Sequence, residues 1–266
     1  MRIICLVKVV PDVESFKYDY ERNALARENV HQVLNPEDAT ALAIALEIKR
    51  LTPGVHVETV SMAPRGAMPH LEDLVRRGVD AATLITDSRF AGSDTYVTSR
   101  ILARYLSRQA YDCVFAGSRT LDGGTAHVPA QVAEELNIAQ LSNIARVETD
   151  TLSSGTAIVD VDDEDATLRF EMDLPAVLGF QYSTKHKLPY IPYEAMNLDT
   201  SDRIRIVSND ELGFDPAEVG HKGSLTSVTS VEVKTLERKD TLFVRPDNAG
   251  VDEVYRFLSR QGYLRS

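Results

Sequence analysis

The chain is short of cysteine, of long apolar runs and of massed basic residues, and each shortage excludes a class of function. Its two cysteines, Cys5 and Cys113, lie inside apolar runs, and neither has a partner at metal-binding or redox spacing. They read as inert core residues, which suits a reducing compartment. No continuous apolar run approaches the roughly 20 residues of a membrane span. The opening MRIICLVKVVPD reads as a strand followed by proline, without the basic start and small-residue cleavage site of a signal peptide, so a cytoplasmic location is expected. Net charge is −11 and lysine and arginine are nowhere clustered, which excludes nucleic acid as a partner. No serine, cysteine or metal-ligand constellation suggests hydrolysis or nucleophilic catalysis. Neither G-x-G-x-x-G nor a Walker lysine is present, which disfavours a standard Rossmann or P-loop enzyme.

What is present is a fourfold alternation of strand and helix. The 266 residues are 43% apolar, ample for a packed core. RIICLVKVV (2–10) reads as a buried first strand, followed by a mixed polar excursion with room for a small hairpin. Asn35-Pro36-Glu37-Asp38 opens a helix with apolar positions at Ala39, Leu42, Ala43 and Leu46. VHVETVSM, VDAATLITD and the run at Cys113–Ala116 supply three more strands. The intervening helices carry Leu71, Leu74 and Val75 and then TYVTSRILARYLSRQ, capped by Gly92-Ser93-Asp94. This pattern predicts an α/β fold: a parallel sheet with helices on both faces. After about residue 140, IARVETDTLSSGTAIVDVDDEDATLRFEMDLPAVLGF predicts antiparallel strands added to that sheet. From Gln181 to about Lys234 periodicity fades into an extended arm ordered by a second chain. VDEVYRFLSRQGYL ends the chain as an amphipathic helix with Val251, Val254, Tyr255 and Leu258 on its apolar face. The expected division is a nucleotide-binding domain over 1–180 and a C-terminal arm and helix for partner contact over 181–266.

Right-handed crossovers put the strand-to-helix loops on one edge, where ligands of such sheets bind. The exit of strand one near Leu6 to Lys8, the Asn35 to Asp38 turn, the Met62-Ala63-Pro64 loop and the loop from 117 to 128 therefore converge. The last of these, AGSRTLDGGTAHVPAQ, runs from a strand through glycines into a helix. Pro129 limits that helix to a start near Thr125 to Val128. The N–H groups from Gly123 to His127 are left at the positive end of a helix dipole, a place that takes phosphate. Glycine at 123 and 124 lets a pyrophosphate approach the backbone. An ordinary glycine turn explains the same segment.

Across most of the chain, VKVVPD at 7–12, NPED at 35–38, VSMAP at 60–64, the 116–131 loop, LPAV at 174–177 and LPYIPYEAM followed by ELGFD carry a resemblance. Together they resemble the small (beta) subunit of electron-transfer flavoproteins. The resemblance implies a heterodimer with a larger alpha subunit that holds an electron-carrying FAD. The small subunit holds an adenine nucleotide: AMP in the housekeeping branch, a second FAD reduced by NADH in the electron-bifurcating branch. DGGTAHVPA (122–130) is nearer the bifurcating form DGDTAQVGP than the AMP-binding loop, and NPED resembles NPDD of that branch. Gly124, His127 and Pro129-Ala130 depart from that form. FAD is therefore favoured over AMP, with NAD as an electron donor and acyl-CoA dehydrogenase-type or other redox partners.

The cofactor-binding set is Leu6, Asn35, Pro36, Glu37, Asp38, Met62, Gly117, Ser118, Arg119, Leu121, Asp122, Gly123, Gly124, Thr125, Ala126, His127 and Val128. The N–H groups of 123 to 126, with the Thr125 hydroxyl, are assigned to the pyrophosphate; Thr125 as a plain N-cap is the alternative. Leu6 and 35–38 border the adenine and ribose, with Asp38 accepting from a ribose hydroxyl or serving as a first-turn acid. Arg119 sits by the electron-accepting ring edge or is a solvated charge. His127 contacts the nucleotide or caps the loop, and Asp94 reads as a helix cap. Ile191 aligns with the family's anchoring leucine on a partner-docking loop, the alternative being a buried residue under the arm. A stand-alone nucleotide-binding protein of the stress type shares the alternating pattern but does not require the arm.

Overall fold

A computed structural model of the chain describes residues 1–12, 17–19, 24–26, 31–163, 165–183, 185–227 and 243–264. Most of the expected excursion and residues 228–234 of the expected arm lie outside the described residues. The chain opens with β1 (Arg2–Leu6), β2 (Val9–Pro11), β3 (Lys17–Asp19), β4 (Ala24–Ala26), β5 (Gln32–Leu34) and α1 (Pro36–Leu51). It continues through β6 (His56–Met62), α2 (Met68–Arg76), β7 (Ala81–Ile85), α3 (Thr95–Leu106), β8 (Cys113–Gly117) and α4 (Val128–Leu136). Then come β9 (Ala139–Val147), the short α5 (Thr149–Leu152), β10 (Thr156–Asp162), β11 (Thr167–Asp173) and β12 (Ala176–Phe180). β13 (Ile204–Val207), two short helices α6 (Asn209–Leu212) and α7 (Gly220–Gly223), and α8 (Asn248–Arg260) complete it.

Nine strands form one sheet in the order β11-β10-β9-β12-β8-β1-β6-β7-β13. Alternate residues of the central strands feed two cores. Ile3, Cys5, Val57, Leu84, Phe115 and Leu178 meet α1 and α2, whereas Ile4, Leu6, Val60, Ile85, Val114 and Val177 meet α3 and α4. Burial on both faces is why β1 and β8 are nearly continuous apolar runs, whereas β6 also buries Glu58, Thr59 and Ser61. Cys5 and Cys113 are free and fully buried on the α1 side, and burial pushes both thiols up, so neither is a ready nucleophile.

Three expectations change. The first strand stops at Leu6, and Val9–Pro11 leaves the sheet to pair antiparallel with β5, while the small hairpin expected in the excursion is present as β3 paired with β4. Only β10 and β11 are antiparallel additions. β12 lies between β8 and β9 and is parallel to both. Its five residues are all buried, so AVLGF is a central strand and not an edge one.

The third change concerns the arm. The chain divides into two compact units, 1–227 and 228–266, so residues 181–227 belong with the sheet. They form a strap. Ser183 N–H donates to Thr40 Oγ1 early in α1, His186 pairs with Glu47 late in α1, and Pro189 O accepts from Arg77 beyond α2. The strap thus runs from the carboxyl edge of the sheet to its amino edge, and β13 then adds parallel to β7. In the second unit, Asp247 caps α8 by accepting from Gly250 N–H, and Val251 and Tyr255 are exposed.

Candidate functional site

From β1 the chain builds β6 and β7 to one side, then returns to place β8 on the other. The carboxyl ends of β1 and β8 therefore open where strand order reverses, the position at which open α/β sheets hold ligands. The β2–β5 ladder brings a third segment there. Val9 stands opposite Leu34, and the next residue, Asn35, donates its N–H to Lys8 O at 2.8 Å.

The Asn35-Pro36-Glu37-Asp38 turn then grips the β8 exit with three side chains. Asp38 Oδ2 accepts from Lys8 N–H at 2.8 Å and Oδ1 from Gly117 N–H at 2.9 Å, joining the exits of both strands. Glu37 accepts from Arg119 N–H at 2.7 Å and from its Nε at 3.1 Å. Asn35 donates to Arg119 O at 2.9 Å and accepts from Leu121 N–H at 3.0 Å. Asn35, Glu37 and Asp38 are all buried, although two of them are acidic. Buried polar groups persist only when bonded, and here the loop's backbone supplies the partners. Gly117 has no space for a side chain: a Cβ there would lie 2.5 Å from Asp38 Oδ1 and 2.7 Å from Glu37 Cβ.

Beyond the grip the loop is exposed from Leu121 to His127. Gly124 N–H turns back to Thr120 O at 2.9 Å, so it is not a free donor. Among the described residues, no acceptor meets the N–H groups of Thr125, Ala126, His127 or Val128. Ala126 holds φ at +57°, an uncommon conformation for a non-glycine residue. α4 starts at Val128 within the expected interval; its N-cap is His127, which makes no side-chain cap bond, so Thr125 is not the cap. The arrangement is a row of unsatisfied amides at a helix N-terminus, braced from behind, where a Cβ at Gly123 or Gly124 would make only ordinary van der Waals contact, with Thr120.

The other expected residues spread more widely. Leu6 is buried at the end of β1 with its side chain in the α3/α4 core, and Met62 packs half-buried on that same core. Pro36 is the first residue of α1. Ser118 points inward and accepts from Asn143 N–H at 2.8 Å. Arg119 keeps 69% of its side chain exposed while paired to Glu37. Asp94 caps α3 through Val97 N–H and also accepts from Thr226, so it is a structural cap. Ile191 lies on the strap near the opposite edge of the sheet; it is half-buried, while Tyr190 and Tyr193 beside it are 92% and 88% exposed. A residue outside the expected set also enters: Lys8 pairs through Nζ with both carboxyl oxygens of Asp122, at 2.9 and 2.7 Å. A lysine at a strand exit and an aspartate 114 residues later give no sequence signal of pairing.

Burial pushes the Asp38 carboxyl up to about 7; the nearby Glu37 charge adds to this, and hydrogen bonds from Asn35, Lys8 and Gly117 oppose it. In the unfolded chain the group returns to its ordinary 3.8. Between these values the folded chain holds a proton that the unfolded chain has lost. The Asp38 contribution therefore lowers stability as pH rises, by at most about 1.4 kcal/mol per unit. Asp38→Asn removes that titration. The stability gap between parent and variant should narrow as pH rises from 5 to about 7, read by urea unfolding at several pH values; a gap that widens contradicts the assignment.

The electron transfer flavoprotein domain model matches residues 23–187. An electron transfer flavoprotein subunit beta of Thermoanaerobacterium thermosaccharolyticum is 34% identical over 244 residues, 91% of this chain and 92% of that protein. The caffeyl-CoA reductase-Etf complex subunit CarD of Acetobacterium woodii is 33% identical over 229 residues, 86% of each chain. The acryloyl-CoA reductase electron transfer subunit gamma of Anaerotignum propionicum is 28% identical over 235 residues, again 86% of each. Two independent matches of this extent, on a mostly parallel sheet whose switch point carries the braced amide loop, establish that the chain belongs to the electron transfer flavoprotein family, among its beta subunits.

Proposed function

We propose that this chain is the nucleotide-holding subunit of a heterodimeric electron transfer flavoprotein, with a larger alpha subunit that carries its own FAD. The carrying observation is the row of free amides from Thr125 to Val128 on a loop that Asn35, Glu37 and Asp38 hold rigid. These amides take the phosphates of an adenine nucleotide, and Gly123 and Gly124 leave room for them. Asn35, Glu37 and Asp38 act through the loop as positioning residues. The preferred ligand is FAD, on the strength of the 122–130 sequence and of relatives that are subunits of reductase-linked complexes; AMP is the alternative. A bound flavin supplies hydride and single-electron chemistry, and the protein supplies position and charge. Arg119, tethered by Glu37 and largely exposed, offers fixed positive charge at the crevice.

Electrons then pass from NADH or an acyl-CoA dehydrogenase-type donor to a redox acceptor, by bifurcation when two flavins are present. The strap around Ile191, Tyr190 and Tyr193 is the docking surface for redox partners, and the C-terminal unit contacts the alpha subunit. Among the described residues no helix is long and apolar enough to cross a membrane, and a cytoplasmic carrier fits the free buried cysteines.

The test is to co-purify the chain with its alpha subunit, denature the complex and count nucleotides. Two FAD per heterodimer is the expected result, and one FAD with one AMP selects the alternative. No adenine nucleotide beyond the alpha subunit's FAD overturns the reading. Gly124 holds φ at +60°, so Gly124→Val strains the loop as well as crowding its rim, and it should at least halve retention of this subunit's nucleotide.

A further inference from the structure

The 117–128 loop carries a carboxylate, Asp122, three residues before the first of the amides assigned to phosphate. Uncompensated, that charge repels an anionic ligand at the point of entry. Asp122 is not uncompensated: Lys8 Nζ lies 2.9 and 2.7 Å from its two oxygens. Both ends of the pair are anchored. The backbone of Lys8 is held by Asp38 on one side and by Asn35 N–H on the other, and Asp122 follows Leu121, whose N–H is bound by Asn35. Arg119, the only other fully charged side chain of the loop, is committed to Glu37. Burial alone raises the Asp122 carboxyl, but the hydrogen bonds from Lys8 and Thr120 and the Lys8 charge outweigh it and hold it ionised, so the negative charge is permanent at neutral pH.

We propose that Lys8 is a specificity-determining positioning residue for the phosphate-bearing ligand: it cancels the Asp122 charge at the mouth of the amide row and so permits an anion to settle there. The proposal rests on the functional reading above and adds a residue to it. Half-exposed ion pairs contribute little to fold stability, so the pair's effect belongs mainly to binding. It also explains why an acidic residue is tolerated beside a phosphate site.

The experiment compares heterodimers carrying parent chain, Lys8→Met, Asp122→Asn and the double substitution, reading the dissociation rate of the bound adenine nucleotide at low and high salt. Lys8→Met should speed dissociation about tenfold at low salt, less at high salt, because an exposed charge is screened. Asp122→Asn removes the repelling charge and leaves the Lys8 ammonium unpaired, so it should slow dissociation below the parent rate at low salt, and the double variant should recover most of the loss. Recovery separates charge cancellation from a structural latch, which the double variant leaves broken. Three results overturn the proposal: Lys8→Met like the parent, Asp122→Asn as damaging as Lys8→Met, or no recovery in the double variant. A parent complex with no nucleotide in this subunit overturns the functional reading instead.

Discussion

Gly117→Ala should be among the most damaging single substitutions in the chain, lowering stability by about 3 kcal/mol and thermal midpoint by roughly 6–12 °C. The added methyl meets Asp38 Oδ1 at 2.5 Å, Glu37 Cβ at 2.7 Å and Asp38 N at 2.8 Å. None of these is the free end of a flexible side chain. Asp38 is tied to two strand exits and Glu37 to Arg119, so relief requires α1 to move off β8 or the loop to lift. Either displaces the amide row, and this subunit's nucleotide should be lost with the stability. Gly123→Ala provides the contrast, since its nearest neighbour is Thr120 Oγ1 at 3.5 Å, an ordinary contact, and its stability should match the parent within about 0.5 kcal/mol. Thermal unfolding of both variants decides the matter; equal midpoints would mean that the loop is not braced as described.

Asn35→Asp should cost a similar amount without changing side-chain volume. The amide of Asn35 donates to Arg119 O at 2.9 Å, and the substitution puts a carboxylate oxygen in that place, acceptor against acceptor. It also creates a third acid in a turn that already buries Glu37 and Asp38. Losing a buried donor and adding an unpaired buried charge together cost about 3 kcal/mol. Only the bond from Leu121 N–H survives. Amide exchange over 117–124 should quicken beyond what the global loss explains, because the opening is local. The penalty should shrink at low pH as the new acid is protonated. A variant with parental exchange in this loop would show that the turn does not hold it.

Much of this was legible beforehand, for identifiable reasons. β1, β6, β7 and β8 announce themselves because strands buried on both faces are largely apolar, with Ala63-Pro64 following β6 and Gly117 ending β8. The 117–128 loop was legible because Pro129 restricts the helix start to a narrow interval, and the structure begins α4 inside it. NPED was legible as a helix start, but its use was not. Asp38 and Glu37 look like solvent-facing acids suited to a helix dipole, whereas they are buried against backbone N–H groups some 80 residues away, at Gly117 and Arg119. The strap was misread because a segment without period gives no sign of what it lies on. Its ties to Thr40, Glu47 and Arg77 are isolated polar contacts spread over α1 and α2.

By itself the sequence determined most of the local elements, the two-sided burial of the central strands and the interval in which α4 begins, since periodicity, glycine and proline act over a few residues and need no distant partner. Tertiary structure alone decided that β12 enters between β8 and β9, that an acidic turn locks the phosphate loop, and that Lys8 meets Asp122. Those outcomes depend on which distant segments share an edge of the sheet. Strand order follows from packing the whole chain around two cores, and no window of neighbouring residues carries that information.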